Sequence, residues 1–446
     1  MVATMSENSI QTAIAEAEGL IKAGRHGQAD MLLSSAIMTA PNAPALRRRL
    51  GILRAQQMDY PGARRELEAA ASLAPNNASI LQPLAFVYDR MSLPVLARAA
   101  AERLLEIASD SSAAFSLLAG MANPGDDHSA LLDGITCAVS RSETPANDKA
   151  RLGFAGGRLA HLAGDTARAF AFFESANQAH SAQDDAAGRA ALANRLITAF
   201  GKVSWPDFQA RARLILLTGA PNSGQAFLAD VVASHPDAVL ATDIGPLAEA
   251  VVGLKDRSGS SDPFPECVAA ASEDVWQAAS DAMFADLMAD YGEAKVYVMS
   301  APAAFLQAGA AAALAPGSVI TELRRSPMAY ALSGFMRHEG ASAAYSYSAE
   351  GLGRLFRTTE TLSAFWDGVL PHAPITVTDS ELVHAPEAAA AKVLAAAGLT
   401  IDPDCEALIE SVSPASRFAD DIGLDGWRAY APHLGVFRNA LWPQTR

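Results

Sequence analysis

The stretch RLILLTGAPNSGQAFLADVVASHP, residues 213–236, decides how the second half of this chain folds. Its first residues, Arg213 to Thr218, form a short apolar run that reads as a buried parallel strand. The run breaks at once into Gly219-Ala220-Pro221-Asn222-Ser223-Gly224, and Gln225 to Ser234 then reads as a helix. A strand that turns through glycines into a helix points backbone N–H groups at a phosphate, with the partial positive charge of the helix N-terminus behind them. A nucleotide triphosphatase loop would end Gly-Lys-Ser/Thr, whereas this one ends Gly224-Gln225-Ala226, which argues against ATP or GTP hydrolysis. On these residues alone a phosphate cradle and a plain strand-to-helix turn stay equally open.

Outward from this stretch, the pattern after Trp205-Pro206 alternates strands with helices. Candidate strands are Leu214–Thr218, Ala238–Ala241, Lys295–Met299, Val319–Leu323 and Ile375–Thr378. Such alternation predicts a mostly parallel sheet covered on both faces, with ligands at the C-terminal strand ends, where the 219–224 loop lies. The most apolar segment, Ala303 to Ala315, is too short to span a bilayer and predicts a buried helix.

The first half reads differently. Pro41 and Pro75 stand 34 residues apart, and Ala29, Leu33 and Ala36 before the first match Ala63, Leu67 and Ala70 before the second. This is the tetratricopeptide period, in which small residues let paired helices approach and proline ends the second helix. A third copy continues with Leu84, Ala85, Tyr88 and Ala97, with Ser109 in the proline position. Residues 112–148 lose the period, with NPGDD and SETPAND as loops, and it returns with Gly157, Ala169, Phe173 and Ala176. The expected architecture is a helical solenoid from about residue 8 to about 200 joined to an α/β domain, with domain bounds of 8–205 and 206–446. The solenoid offers a groove for a protein or peptide, or a face that packs or dimerises.

The net charge of −15 without a basic run argues against nucleic-acid polymers and anionic membranes. Cys137, Cys267 and Cys405 are far apart and suit a reducing cytoplasm; no metal-ligand spacing occurs among cysteines or histidines. The first residues carry no signal-peptide pattern, so a cytoplasmic location is expected.

LILLTGAPNSGQAFLADVVASHP resembles the 5′-phosphosulfate loop of the sulfotransferases, a strand running into Gly-x-Pro-Arg-Ser-Gly-Thr-Thr and a helix closing in Ser-His-Pro. That family's second motif is matched by Arg325, Pro327 and Ser333 in RRSPMAYALSGF. SYSAEGLGRLFRTTETLSAFWDGVLP and GLDGWRAYAPHLGVF resemble the long helix and tail of bacterial enzymes that join tetratricopeptide repeats to this domain. The resemblance implies a sulfotransferase-like P-loop domain that binds 3′-phosphoadenosine 5′-phosphosulfate, without a metal. Its product would be a sulfuryl ester or amide on a hydroxyl or amine of a protein or other large acceptor. It implies nucleotide contacts at Gly219, Pro221, Asn222, Ser223, Gly224, Gln225 and Ala226, with Arg325 and Ser333 on the 3′-phosphate. Asp243 falls where a bacterial member has its acidic base, although it also stands where it would cap the helix beginning near Gly245.

Several family parts are replaced. The loop arginine is Asn222, and the two threonines are Gln225 and Ala226. Met299-Ser300-Ala301-Pro302 stands in place of Asp-Lys-Met-Pro, which removes the strand lysine, and the following asparagine is Ala304. The tail before Trp427 is shorter and lacks Gln-x-x-x-Pro-x-Tyr. The implied alternative is a pseudoenzyme, an inactive descendant acting as a repeat-based scaffold or nucleotide sensor. His235 reads as a packed turn residue, Arg324 as an ion-pair partner, and Trp366 and Trp427 as core.

Overall fold

The computed structural model describes residues 6–180, 183–219, 222–301, 304–413 and 422–443. Two compact units divide the chain, Met1–Ser181 and Ala182–Arg446.

The first unit is built of antiparallel helix pairs: Glu7–Lys22 with His26–Thr39, Pro44–Gln56 with Tyr60–Leu73, and Ala78–Arg90 with Pro94–Ile107. Its turns repeat in register. Gly24, Met58 and Ser92, spaced 34 residues apart, each take a left-handed backbone between the helices of a pair. Ala40, Ala74 and Ala108 end the second helices with nearly the same non-helical backbone geometry. The third pair therefore closes like the first two although Ser109 replaces proline. Ala29, Leu33, Ala63, Leu67 and Ala70 are fully buried, as the small and large positions of the repeat require. Ser112–Gly120 starts in register, Ser129–Ser140 interrupts it, and the pair Ala146–Leu162 with Thr166–Gln178 restores it. Gly157 serves this last pair, because a Cβ there would lie 2.4 Å from the Phe173 ring. The 142–148 stretch is only partly loop: the helix already begins at Ala146, after Pro145.

The second unit holds a five-stranded, wholly parallel sheet of β1 (Arg213–Gly219), β2 (Ala238–Ala241), β3 (Val296–Ser300), β4 (Val319–Arg324) and β5 (Ile375–Thr378). All five strands fall where the apolar runs place them. Their order is β2-β3-β1-β4-β5, so β1 is central and the β3-to-β4 connection crosses it. Alternate residues of β1 feed two cores. Leu214 and Leu216 face Trp276, Met299 and Trp366, while Ile215 and Leu217 face Leu228, Val232, Val377 and Leu394. The Ala308–Leu314 helix is buried throughout, as its composition predicts. No helix among the described residues is long and apolar enough to cross a membrane.

Two corrections to the sequence reading arise here. The Ala186–Phe200 helix, read as the end of the solenoid, belongs to the α/β unit. Ala193, Leu196 and Phe200 enter its core, and Phe200 meets the Trp366 ring edge-on at 5.4 Å between centroids. Trp427, expected in the core, is only partly buried and lies under the Arg428 guanidinium at 4.7 Å.

After β5, Thr378 caps the Asp379–His384 helix in a reciprocal capping box with Glu381. Burial opposes the charge of Glu381, but hydrogen bonds from Thr378 and Lys392 outweigh it and hold the carboxyl below its ordinary value. A depressed carboxyl stabilises the fold above its unfolded value of about 4.3 and loses that effect as pH falls through the folded value. Urea titrations of Glu381→Gln should show a loss of about 0.5 kcal/mol at pH 7, given the exposure of the pair, and a smaller one near pH 3. An equal loss at both pH values would assign the effect to packing.

Candidate functional site

At the C-terminal edge of the sheet, β1 runs into the loop through Gly219, whose φ of 138° is open to glycine. A Cβ there would lie 2.2 Å from the Leu323 carbonyl oxygen of β4, so the close approach of two strands requires its absence. Asn222 (φ 60°) and Gly224 (φ 87°) are both left-handed, and asparagine is one of the few side chains that tolerates this. Gly224 opens the Gln225–Ala233 helix without a side-chain cap. Left-handed residues thus lead directly into the helix start. Pro221 lies outside the described residues.

The polar atoms of the loop fall into two groups. Ser223 Oγ and Gln225 Nε2 are buried and have no hydrogen-bond partner among the described residues. Buried polar groups are nearly always paired, so these two atoms at the helix start are exceptions to the rule. Ala226, in contrast, presents an exposed methyl. The second group is bound within the protein. Asn222 Nδ2 donates to Ser333 Oγ at 2.9 Å, and Arg325 Nη1 donates to the Asn222 carbonyl at 2.7 Å. Arg325 Nη2 also donates to the Gly423 carbonyl at 2.6 Å. The structure therefore brings Asn222, Arg325 and Ser333 together, two residues of the second motif bracing one of the loop.

The cations expected at a sulfuryl-transfer centre are replaced by neutral groups at two positions. Ser300 ends β3, whose Ser300 register partner on β1 is Leu217, and Asn222 occupies the loop position. Arg324 does not substitute for them. Its Nη2 donates to Glu322 Oε2 at 3.0 Å and to Ser363 Oγ at 2.8 Å, while Ser363 Oγ donates to the same carboxylate at 2.6 Å. Burial works against the Arg324 charge, but Glu322, Glu360 and Asp367 more than offset it, so the guanidinium stays charged inside an acidic group. Its ion-pair reading holds.

Asp243 is exposed at the end of β2, the edge strand beyond β3. Two strand spacings place β2 about 10 Å from β1. The Asp243 Oδ1 atom accepts from Gly245 N at 2.9 Å at the start of the next helix, and its own N–H donates to the Tyr291 hydroxyl. His235 accepts through Nδ1 from Asp237 N and serves the turn. Trp366 is buried and donates to the Phe305 carbonyl.

Three polar residues near the strand ends went unread in the sequence: Glu322, Ser363 and Asp379. Glu322 was visible as a lone acid in the apolar run VITEL, whereas Ser363 and Asp379 acquire their partners only through long-range packing. Asp379, buried, accepts from Ser326 N and Ser380 N and ties the segment after β4 to the end of β5. Among the described residues no three acidic, histidine or cysteine side chains gather as a metal site.

Residues 215–403, less than half of the chain, match the family model described as Sulfotransferase family. No curated protein matches the chain. Among solved structures, YrrB, described as a TPR protein with an unusual peptide-binding site, is 16% identical with a TM-score of 0.32, over 38% of this chain and 84% of its own. MamA is 15% identical with a TM-score of 0.32, over 36% and 93% of the two chains. PilF of Pseudomonas aeruginosa is 14% identical with a TM-score of 0.33, over 43% and 81%. With its central β1, glycine loop and paired second motif, the α/β unit is a sulfotransferase-family domain, preceded in this chain by tetratricopeptide-like repeats.

Proposed function

We propose that this chain is a repeat-based interaction protein whose sulfotransferase-family unit keeps a weak site for adenosine 3′,5′-bisphosphate and its 5′-phosphosulfate donor but has lost efficient sulfuryl transfer. The observation that carries this reading is the engagement of Arg325 by the Asn222 and Gly423 carbonyls. A 3′-phosphate would compete with these contacts for the guanidinium, and hydrogen bonds to a charged group are each worth about 1.5–3 kcal/mol. The 5′ half fits a phosphate better. Ser223, Gln225 and the loop N–H groups would hold it, with Ser333 and Arg325 toward the 3′ side. The donor, when bound, supplies the sulfuryl group, and transfer then needs positive charge where the bridging oxygen leaves. Ser300 and Asn222 provide none.

A second reading, transfer to a hydroxyl or amine of a large acceptor with Asp243 as general base, is favoured by the glycine loop geometry. It requires Asp243 to leave Gly245 N and approach β1. Free cysteines and the acidic net charge agree with a cytoplasmic setting.

Calorimetric titration tests the nucleotide part. Adenosine 3′,5′-bisphosphate should bind with Kd on the order of 100 μM, and Arg325→Ala, with its folding checked by thermal unfolding, should weaken it at least tenfold. No heat from bisphosphate or donor at millimolar concentration would remove the nucleotide site from the account.

A further inference from the structure

We infer that the groove of the repeat unit takes an extended acidic segment of a partner protein, anchored by one apolar side chain; this rests on the interaction reading above. The groove encloses about 720 Å³ between the Pro44–Gln56, Ala78–Arg90 and Ser112–Gly120 helices, with Arg151 at one end. Three guanidinium groups line it, Arg48, Arg90 and Arg151, against one carboxylate, Asp89. On a chain of net charge −15 this is a local reversal of sign. Arg48 and Arg151 make no hydrogen bond or ion pair among the described residues. Their neighbours do otherwise: Arg47 pairs with Glu66, Arg49 with Glu18 and Arg54 with Asp30. Of the three groove arginines, only Arg90 is compensated, by Asp89 at 3.9 Å; Arg48 and Arg151 are left without a counter-charge in contact among the described residues.

The floor supplies the anchor and backbone contacts. Phe86 is 46% exposed there, beneath Arg90 at 5.1 Å, beside Ile52 and Leu117. Pro83 lies within the Ala78–Arg90 helix and gives no N–H to the Ser79 carbonyl, and both residues line the groove. Ser116 Oγ, buried in the same wall, has no partner among the described residues. Apolar contact, two unpaired cations and an unpartnered hydroxyl together match an extended peptide. A nucleic acid fits less well. An adjoining hollow of about 430 Å³ contains Asp110, Glu143 and Asp148, which would repel a phosphate on every unit, whereas a peptide can place neutral residues there.

Fluorescence anisotropy on the full chain tests this with a short labelled peptide of alternating Glu and Ala around one central Leu. Versions with Gln or Lys in place of Glu, and single-stranded polyuridine RNA, serve as comparisons. The Glu peptide should bind at least about tenfold more tightly than the Gln peptide. Arg48→Glu with Arg151→Glu should abolish the difference, and Phe86→Ala should weaken binding several-fold with an unchanged circular dichroism spectrum. Equal binding of the Glu and Gln peptides, tighter binding of Lys peptide or RNA, or no binding at all overturns the inference. A pull-down separates it from the reading beneath it. Partners that persist in the Arg48→Glu, Arg151→Glu double variant leave the interaction reading standing without this groove. Recovery of no partner by the unaltered chain removes that reading itself.

Discussion

Gly219→Ala is expected to destabilise the α/β unit by about 3 kcal/mol or more, a large effect for adding one methyl group. The reason is double. A φ of 138° is unfavourable for any side chain, and the new Cβ would press on the Leu323 carbonyl at 2.2 Å, an atom held in the β1–β4 ladder. Gly317→Ala is the control, since Gly317 also has positive φ, 80°, but nothing within 4 Å of a Cβ. It should cost about 1 kcal/mol, from backbone conformation alone. Urea unfolding followed by tryptophan fluorescence reads both, because Trp276 and Trp366 lie in the sheet core. Equal losses would mean that β1 and β4 do not approach as closely as described.

The second large effect is a gain. Asn222→Arg with Ser300→Lys restores the two cations, and each positioned donor at a transition state is worth about 10²–10³ in rate. Together they should raise donor-dependent transfer by about 10⁴ over the unaltered chain. Arginine at the left-handed position 222 carries strain of about 1–2 kcal/mol, smaller than the transition-state gain. It also gives up the Asn222–Ser333 hydrogen bond. Labelled transfer to lysate proteins measures the outcome. A double variant that folds and binds nucleotide yet transfers no faster would place the defect elsewhere, with Asp243 the next position to examine.

How much of this was legible in the sequence depended on whether the signal was local. The strands were, because a buried parallel strand is a bare apolar run between breakers, and RLILLT, AVLA and ITVT show it directly. The repeat period was legible from Ala and Leu spacing, and the left-handed residues at 24, 58 and 92 keep the same period although only the first is glycine. The Ala186–Phe200 helix misled because alanine-rich amphipathic sequence looks alike whether it packs on another repeat or on Trp366; only the long-range contact decides. Trp427 misled for a related reason, since an indole can lie on the surface when a neighbouring guanidinium stacks on it. At the site, the resemblance selected Arg325 and Ser333 by position. It could not show that Arg325 turns to the Asn222 and Gly423 carbonyls, because Gly423 lies 98 residues away in sequence. The acidic surroundings of Arg324 were equally hidden, since Ser363 comes from a helix 39 residues on.

The central claim, a nucleotide site without effective transfer chemistry, is tested most directly by incubating the unaltered full chain with radiolabelled 3′-phosphoadenosine 5′-phosphosulfate and a protein lysate under conditions where calorimetry shows binding. The account predicts bound nucleotide and no label on any protein above the rate without the chain. Label transferred at a rate that rises with this protein, and falls in Asp243→Asn, would contradict it and establish a working sulfotransferase.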